Sequence, residues 1–245
     1  MDTRNDTILI TGGGSGIGKA MAEALHARGA KVIIAGRRRE PLEAVAAANP
    51  GMAFETLDVA DPAAIAAFAA RVVETHPDLN GLINNAGVMT AEDEIDLAVA
   101  EQTVAINLLG PIRLTAALLP HLKSKPAATV VNVTSGLAFV PLTSTPTYSA
   151  TKAALRSWSQ SLRHQLAGTS VGVIEWAPPA VATDLVPGHA ENPNSMPLAD
   201  FTAESLALFE AGGADEILVE RVKFLSGAEA RGEYASVFGA LNGAG

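Results

Sequence analysis

Over roughly its first 180 residues the chain alternates short β-branched runs with alanine-rich stretches of helical period, and each junction carries Gly, Asn, Asp or Pro. Parallel neighbours in a sheet need a long crossover, which a helix supplies, so this rhythm predicts a parallel sheet covered on both faces. Six strands are predicted, at 7–11, 31–35, 53–57, 81–84, 129–134 and 170–176. Most are continuous apolar runs, as strands buried on both faces must be. Helices are expected near 16–28, 40–48, 61–75, 98–109 and 147–167, and Asp61 followed by Pro62 reads as an N-cap with proline in the first turn. Beyond residue 177 the chain turns Pro/Gly/Asn-rich until Pro197, and helices are then expected near 199–210 and 214–225.

Charge narrows the partners. With 17 basic and 26 acidic side chains the 245-residue chain carries a formal charge of −9, and no basic block suits it to nucleic acid or an anionic membrane surface. No apolar stretch is expected to span a bilayer, and the first residues contain no secretory cleavage pattern, which points to a cytoplasmic protein. Cysteine is absent, so disulfides and thiolate chemistry are excluded. His26, His76, His121, His164 and His189 have no ligand spacing; they are expected at the surface, and no metal is expected.

Thr11-Gly12-Gly13-Gly14-Ser15-Gly16-Ile17-Gly18 follows the first strand and precedes a helix. Two readings are open for it: a plain glycine-rich turn, or a cradle whose backbone N–H groups approach a pyrophosphate at a helix N-terminus. The literal G-x-G-x-x-G fingerprint is absent, since the spaced glycines stand at 12, 16 and 18.

That spacing with its leading threonine resembles the T-G-x-x-x-G-x-G motif of the short-chain dehydrogenase/reductase family. Further motifs in the family's order carry the resemblance over residues 7–183: Asp58-Val59 after the third strand, Asn84-Asn85-Ala86-Gly87 closing the fourth, Asn107 in a helix before the fifth, Ser135 at the end of the fifth, and Tyr148-x-x-x-Lys152. The resemblance implies a Rossmann-type, doubly wound parallel α/β sheet of six or seven strands with helices on both faces. It further implies one continuous unit over 1–245, with a small substrate loop and cap at about 178–225. For the cofactor it implies contacts from Gly12, Gly14, Ser15, Gly16, Ile17 and Gly18, from Asp58 and Val59 beside the adenine, from Asn85, Ala86 and Gly87, and from Pro178, Val181 and Thr183 after the sixth strand.

Tyr148 and Lys152 lie four positions apart in a helical pattern and so project from one face. A cation beside a phenol favours the phenolate, which predicts a tyrosine pKa lowered from its usual value of about 10 and a general acid/base. Ser135, at the carboxyl end of a central strand, is placed to polarise a carbonyl oxygen. The resemblance adds a contact from Lys152 to the nicotinamide ribose and a water, held by Asn107, that completes a proton relay.

At the end of the second strand the chain reads Gly36-Arg37-Arg38-Arg39, with glycine where an NAD-selective site would carry an acid for the ribose 2′-hydroxyl. Removing the acid removes a repulsion, and an arginine can pair with a 2′-phosphate, so NADP(H) is the expected cofactor, with Arg37 the first partner and Arg38 the second. At least one of the three arginines is expected to be merely solvated.

The chain departs from the family pattern in two places. Pro179 stands where the family has glycine, stiffening the entry to a loop whose Asp184, Leu185, Val186 and Met196 are expected to line a pocket for a nonpolar carbonyl. The family's final strand has no evident counterpart in 217–224, which reads as an amphipathic helix with Arg221 and Lys223 exposed, so a homo-oligomer is expected to be a dimer rather than the usual tetramer. This ending, with 114–120 and 177–181, is similar to a bacterial subgroup of DltE-like oxidoreductases; that label ties some members to teichoic-acid D-alanylation and does not fix a substrate. The expected activity is NADPH-dependent reduction of a ketone or aldehyde. The alternatives are an alcohol or hydroxysteroid dehydrogenase running the same chemistry in reverse, or a non-catalytic NADP-binding regulator.

Overall fold

A computed structural model of the chain describes residues 1–186, 188 and 191–243. Seven strands form one parallel sheet in the order β3-β2-β1-β4-β5-β6-β7. They are β1 Thr7–Thr11, β2 Lys31–Gly36, β3 Ala53–Thr56, β4 Leu79–Asn84, β5 Ala128–Val133, β6 Val171–Trp176 and β7 Glu216–Ile217. The first three strands step outward in one direction and β4 returns to the other side of β1, so the order reverses between β1 and β4. Crevices for ligands open at such a reversal, at the carboxyl ends of the strands.

Helices cover both faces because their apolar stripes face the sheet. On one side α1 (Gly16–Ala27) contributes Met21 and Leu25, α2 (Arg39–Ala48) contributes Leu42 and Val45, and α7 (Leu198–Ala211) contributes Phe201 and Phe209. On the other side Ile65 and Phe68 of α3 (Pro62–Thr75), Leu114 and Leu118 of α5 (Gly110–Lys123) and Leu162 of α6 (Pro146–Gln165) pack together. Asp61 caps α3 as expected, accepting from the Ala63 and Ala64 amides at 2.8 and 3.2 Å. The α7 side is anchored by Trp176, stacked on Phe201 at 5.4 Å and edge-on to Phe209 at 5.5 Å, its indole N–H donating to Ser205 at 3.1 Å.

Three expectations need correcting. The helix near 98–109 does not stop at Gly110-Pro111. α4 (Leu97–Val104) passes through a π-helical turn, Ala105–Leu109, straight into α5. The proline has no N–H to return and needs room on the preceding turn, and the wider turn accommodates it. The resulting helix, Leu97–Lys123, is long and apolar enough to cross a membrane by length and composition, although no single apolar run was expected to be. Ile106, Leu114, Leu118 and Leu122 are buried in the core on the α3 side of the sheet. Finally, 214–225 is not a helix. Glu216 and Ile217 pair in parallel with Glu175 and Trp176, supplying a short seventh strand, and the chain then makes a 3-10 turn (Glu220–Val222), α8 (Lys223–Ser226) and, further on, α9 (Tyr234–Leu241).

Candidate active site

The turn after β1 is held open by its glycines. Gly12 and Gly16 have φ of +69° and +52°, in the left-handed region that favours glycine. Gly18 serves a different purpose: a Cβ there would stand 2.4 Å from the Gly12 carbonyl oxygen and 2.4 Å from the Asn85 amide nitrogen, so α1 packs directly on the turn. Gly14 backs onto α2, where its Cβ would meet Pro41 at 3.2 Å, and Ile17 packs against the core. Ser15 occupies the N-cap position of α1 without spending its hydroxyl on the helix.

Thr11 and Asn85 lock this turn to the end of β4. The Thr11 hydroxyl oxygen accepts from the Asn85 and Ala86 amides, each at 3.0 Å, and the Asn85 side chain donates to the Thr11 carbonyl at 2.9 Å. Beneath them runs a buried polar chain that the sequence reading missed. Asn84 donates to Thr115 at 3.0 Å and to Asn132 at 2.9 Å, and Asn132 donates to Ser159 at 2.9 Å. Its only signal was a pair of asparagines inside apolar strands.

A cleft opens beside the turn, lined among others by Gly12, Ser15, Arg37, Arg38, Val59 and Gly87. Ala86 also lines it, whereas the Asp58 carboxylate closes a local turn by accepting from Ala60 N at 2.9 Å. The three arginines differ in their surroundings. Arg39 is tied to Glu43 at 2.7 Å and lies over the Phe54 ring, while among the described residues the exposed side chains of Arg37 and Arg38 have no hydrogen-bond or ion-pair partner. Thr183 comes to the other side of the turn, with carbon atoms 3.6 Å from where a Gly16 Cβ would be. Val181 is buried, and Pro178 offers its carbonyl to Gly136 N at 2.8 Å.

Beyond Gly87 the structure brings Asn107, Ser135, Tyr148 and Lys152 together, all buried. Asn107 sits in the π-helical turn and grips Val88 with both side-chain atoms, accepting from its N–H at 2.9 Å and donating to its carbonyl at 2.8 Å. A Cβ on Gly87 would lie 3.3 Å from the Asn107 side-chain oxygen and 3.7 Å from the Lys152 ammonium, so Gly87 sits between the two and a larger residue would press on the Asn107 amide. The Ser135 hydroxyl accepts from Leu137 N at 3.1 Å and lies near enough to the Tyr148 phenol to pull its pKa down.

The electrostatics differ from the sequence expectation. Lys152 donates to the Val133 carbonyl at 2.7 Å, and its nitrogen lies 5.6 Å from the centroid of the Tyr148 ring. Burial therefore dominates: it pushes the Tyr148 phenol up to about 12 against the pull of Ser135, and the Lys152 ammonium down to about 8. Two other placements are corrected. Met196 is buried in the core beside Val181 rather than lining a pocket, its backbone bonded to Ala180 and Ala182 at 2.8 Å each, while Leu185 is exposed. Of the histidines only His164 is fully at the surface among those described. His26, His76 and His121 are half-buried, His121 against the Leu79 carbonyl at 3.0 Å, and His189 lies outside the described residues.

A doubly wound sheet with a left-handed glycine turn at its point of reversal, and a buried tyrosine and lysine at the neighbouring strand ends, defines an oxidoreductase of the Rossmann type. More particularly, the chain belongs to the short chain dehydrogenase family, whose family model matches residues 6–194. It is 40% identical over 252 residues to the uncharacterized oxidoreductase DltE of Bacillus subtilis, in an alignment covering 99% of this chain and 98% of that protein. A short chain dehydrogenase from Burkholderia cenocepacia, crystallised in complex with NADP, superposes with a TM-score of 0.85 at 28% identity, over 97% of this chain and 99% of that one. A short chain dehydrogenase/reductase from Burkholderia phymatum in complex with NAD shares the fold, with a TM-score of 0.83 at 22% identity over 97% and 96% of the two chains.

Proposed function

We propose that the protein is an NADPH-dependent carbonyl reductase in which Tyr148 donates the proton that turns a ketone or aldehyde into an alcohol. The chain's own features fit the dinucleotide. The turn at Gly12 and Gly16 leaves backbone bare for phosphates, and Arg37 and Arg38 supply two unspent guanidinium groups at the same cleft for a 2′-phosphate. When bound, the reduced nicotinamide supplies the hydride that reaches the carbonyl carbon.

The remaining work falls to side chains. Ser135 orients the carbonyl oxygen with its hydroxyl, and Tyr148 passes its proton to that oxygen as negative charge develops there. Lys152, charged at neutral pH, then stabilises the phenolate left behind. Asn107, clamped on Val88 and adjacent to Lys152 at Gly87, marks the route by which the phenol regains its proton.

The observation that carries this reading is the grouping of Asn107, Ser135, Tyr148 and Lys152, all buried, beside a glycine turn whose cleft also holds the exposed Arg37 and Arg38. The Tyr148 phenol is protonated at neutral pH and so can donate. NADPH consumption over a panel of diketones, ketoesters and aromatic ketones tests it. Tyr148→Phe is expected to lose at least about a hundredfold in turnover while still binding NADPH, in line with the usual weight of a general acid. A Phe variant as fast as the wild type would refute the role of Tyr148, and a wild type that binds NADPH yet reduces no carbonyl would refute the function.

A further inference from the structure

The carboxylate most completely withdrawn from water belongs to Glu175 on β6, and nothing in the chemistry above uses it. It accepts from the Thr134 hydroxyl at 2.8 Å and from the Arg156 guanidinium. Arg156 also reaches Glu216 on β7 at 2.8 Å and lies 4.1 Å over the ring of Phe139. Burial pushes the Glu175 carboxyl up, and Thr134 and Arg156 pull it back down. A buried ion pair of this kind is weak ground for stability, because the desolvation it costs commonly cancels the attraction it gains. Its placement suggests another role.

Each partner sits one step from the reacting groups. Thr134 directly precedes Ser135, and Phe139 ends the 3-10 turn Gly136–Ala138 that Ser135 opens. Arg156 follows Lys152 by four positions and Tyr148 by eight, on the same face of α6. The backbone around Ser135 is otherwise held by Thr134 N donating to the Trp176 carbonyl and Gly136 N to the Pro178 carbonyl, both at 2.8 Å, which fix it to β6 and its extension but not to α6. Lys152, through Val133, and Ser159, through Asn132, also tie α6 to this strand.

We propose that Glu175, Thr134 and Arg156 are positioning residues that hold the Ser135 strand end at a fixed distance from the Tyr148 face of α6. The proposal deepens the carbonyl reductase reading and rests on it for its effect on rate. The test uses Thr134→Val, which keeps the shape and removes the hydroxyl, Thr134→Ser, which restores it, and Arg156→Lys, which keeps a cation but not the fork. Two quantities are read on the NADPH-loaded protein: kcat and KM with a carbonyl that the wild type reduces, and hydrogen–deuterium exchange of peptides covering 134–140 and 7–36.

Thr134→Val is expected to lower kcat about tenfold or more, the cost of a small misplacement. KM and NADPH affinity should hold, exchange should quicken at 134–140 and not at 7–36, and Thr134→Ser should recover both rate and protection. Arg156→Lys should fall between wild type and Thr134→Val. Unchanged exchange at 134–140 in Thr134→Val, a kcat equal to the wild type, or failure of Thr134→Ser to recover would each overturn the positioning role. A wild type that reduces no carbonyl is a separate result: it removes the reductase reading, and exchange at 134–140 then decides alone whether the network holds Ser135.

Discussion

At the glycine turn the protein offers backbone, left-handed glycines and two exposed arginines; at the ends of β5 and α6 it offers side chains taken almost wholly out of water. The first region works by leaving things out, since any Cβ at Gly12 or Gly18 would meet neighbouring atoms at 2.8 Å or less. The second works by what is put in, and there burial shifts the properties of each group: Tyr148 is held protonated and Lys152 is brought near its titration point. The contrast teaches that binding and proton transfer are supported here by different physics on neighbouring strand ends. Each can therefore be damaged with little effect on the other.

The harshest break of that contrast is Gly18→Ala. The added methyl would meet the Gly12 carbonyl and the Asn85 amide at 2.4 Å, and a backbone atom cannot step aside cheaply. Overpacking of this kind costs about 1–3 kcal/mol. NADPH affinity measured by nicotinamide fluorescence should collapse and Tm should fall, while Tyr148 remains buried. A variant that binds NADPH as the wild type does would show that close packing of α1 on the turn is not what shapes the cradle.

A milder change sharpens the comparison. Arg37→Ala leaves the turn intact and removes one of the two exposed arginines at the cleft, so only selectivity should move. The ratio of kcat/KM for NADPH over NADH is expected to drop about 10- to 100-fold, the worth of one charge-assisted hydrogen bond at about 1.5–3 kcal/mol. An unchanged ratio would transfer the role to Arg38.

The smallest effect concerns stability and pH in the buried region. Lys152 titrates near 8 in the folded protein and near 10.5 unfolded, so between those values the unfolded chain binds more protons and stability rises with pH. Tyr148 acts in the opposite sense and later, costing stability above about 10 because its folded value is about 12. Urea unfolding at pH 8 and pH 10 should therefore show wild type gaining on Lys152→Met as pH rises. A constant difference would mean that the ammonium is better solvated than its burial implies.

How much of this could be read from residues alone follows the same division. The first six strands were legible to within about two residues, because runs such as Ile8–Ile10 are apolar throughout and give way to Gly or Asn soon after. The glycine turn and the four-residue step from Tyr148 to Lys152 were legible as spacing. What spacing could not convey was direction: that Lys152 bonds to Val133 rather than to the phenol, or that Met196 turns into the core, depends on contacts between segments distant in sequence. The Glu175, Arg156 and Thr134 contacts were invisible for the same reason. Gly110-Pro111 misled because helices normally end there, and β7 was missed because two residues are too few to show alternation.

The π-helical turn has a consequence for how this chain can vary. It is one residue of surplus wound into a long helix, so everything from Leu97 to Val104 is out of phase with everything from Gly110 onward. Losing a single residue there would rotate the two halves against each other by about 100°. Either Asn107 would swing away from Val88 or Leu114 and Leu118 would leave the core. The five residues Ala105–Leu109 act as a counted spacer, with a tolerance of none.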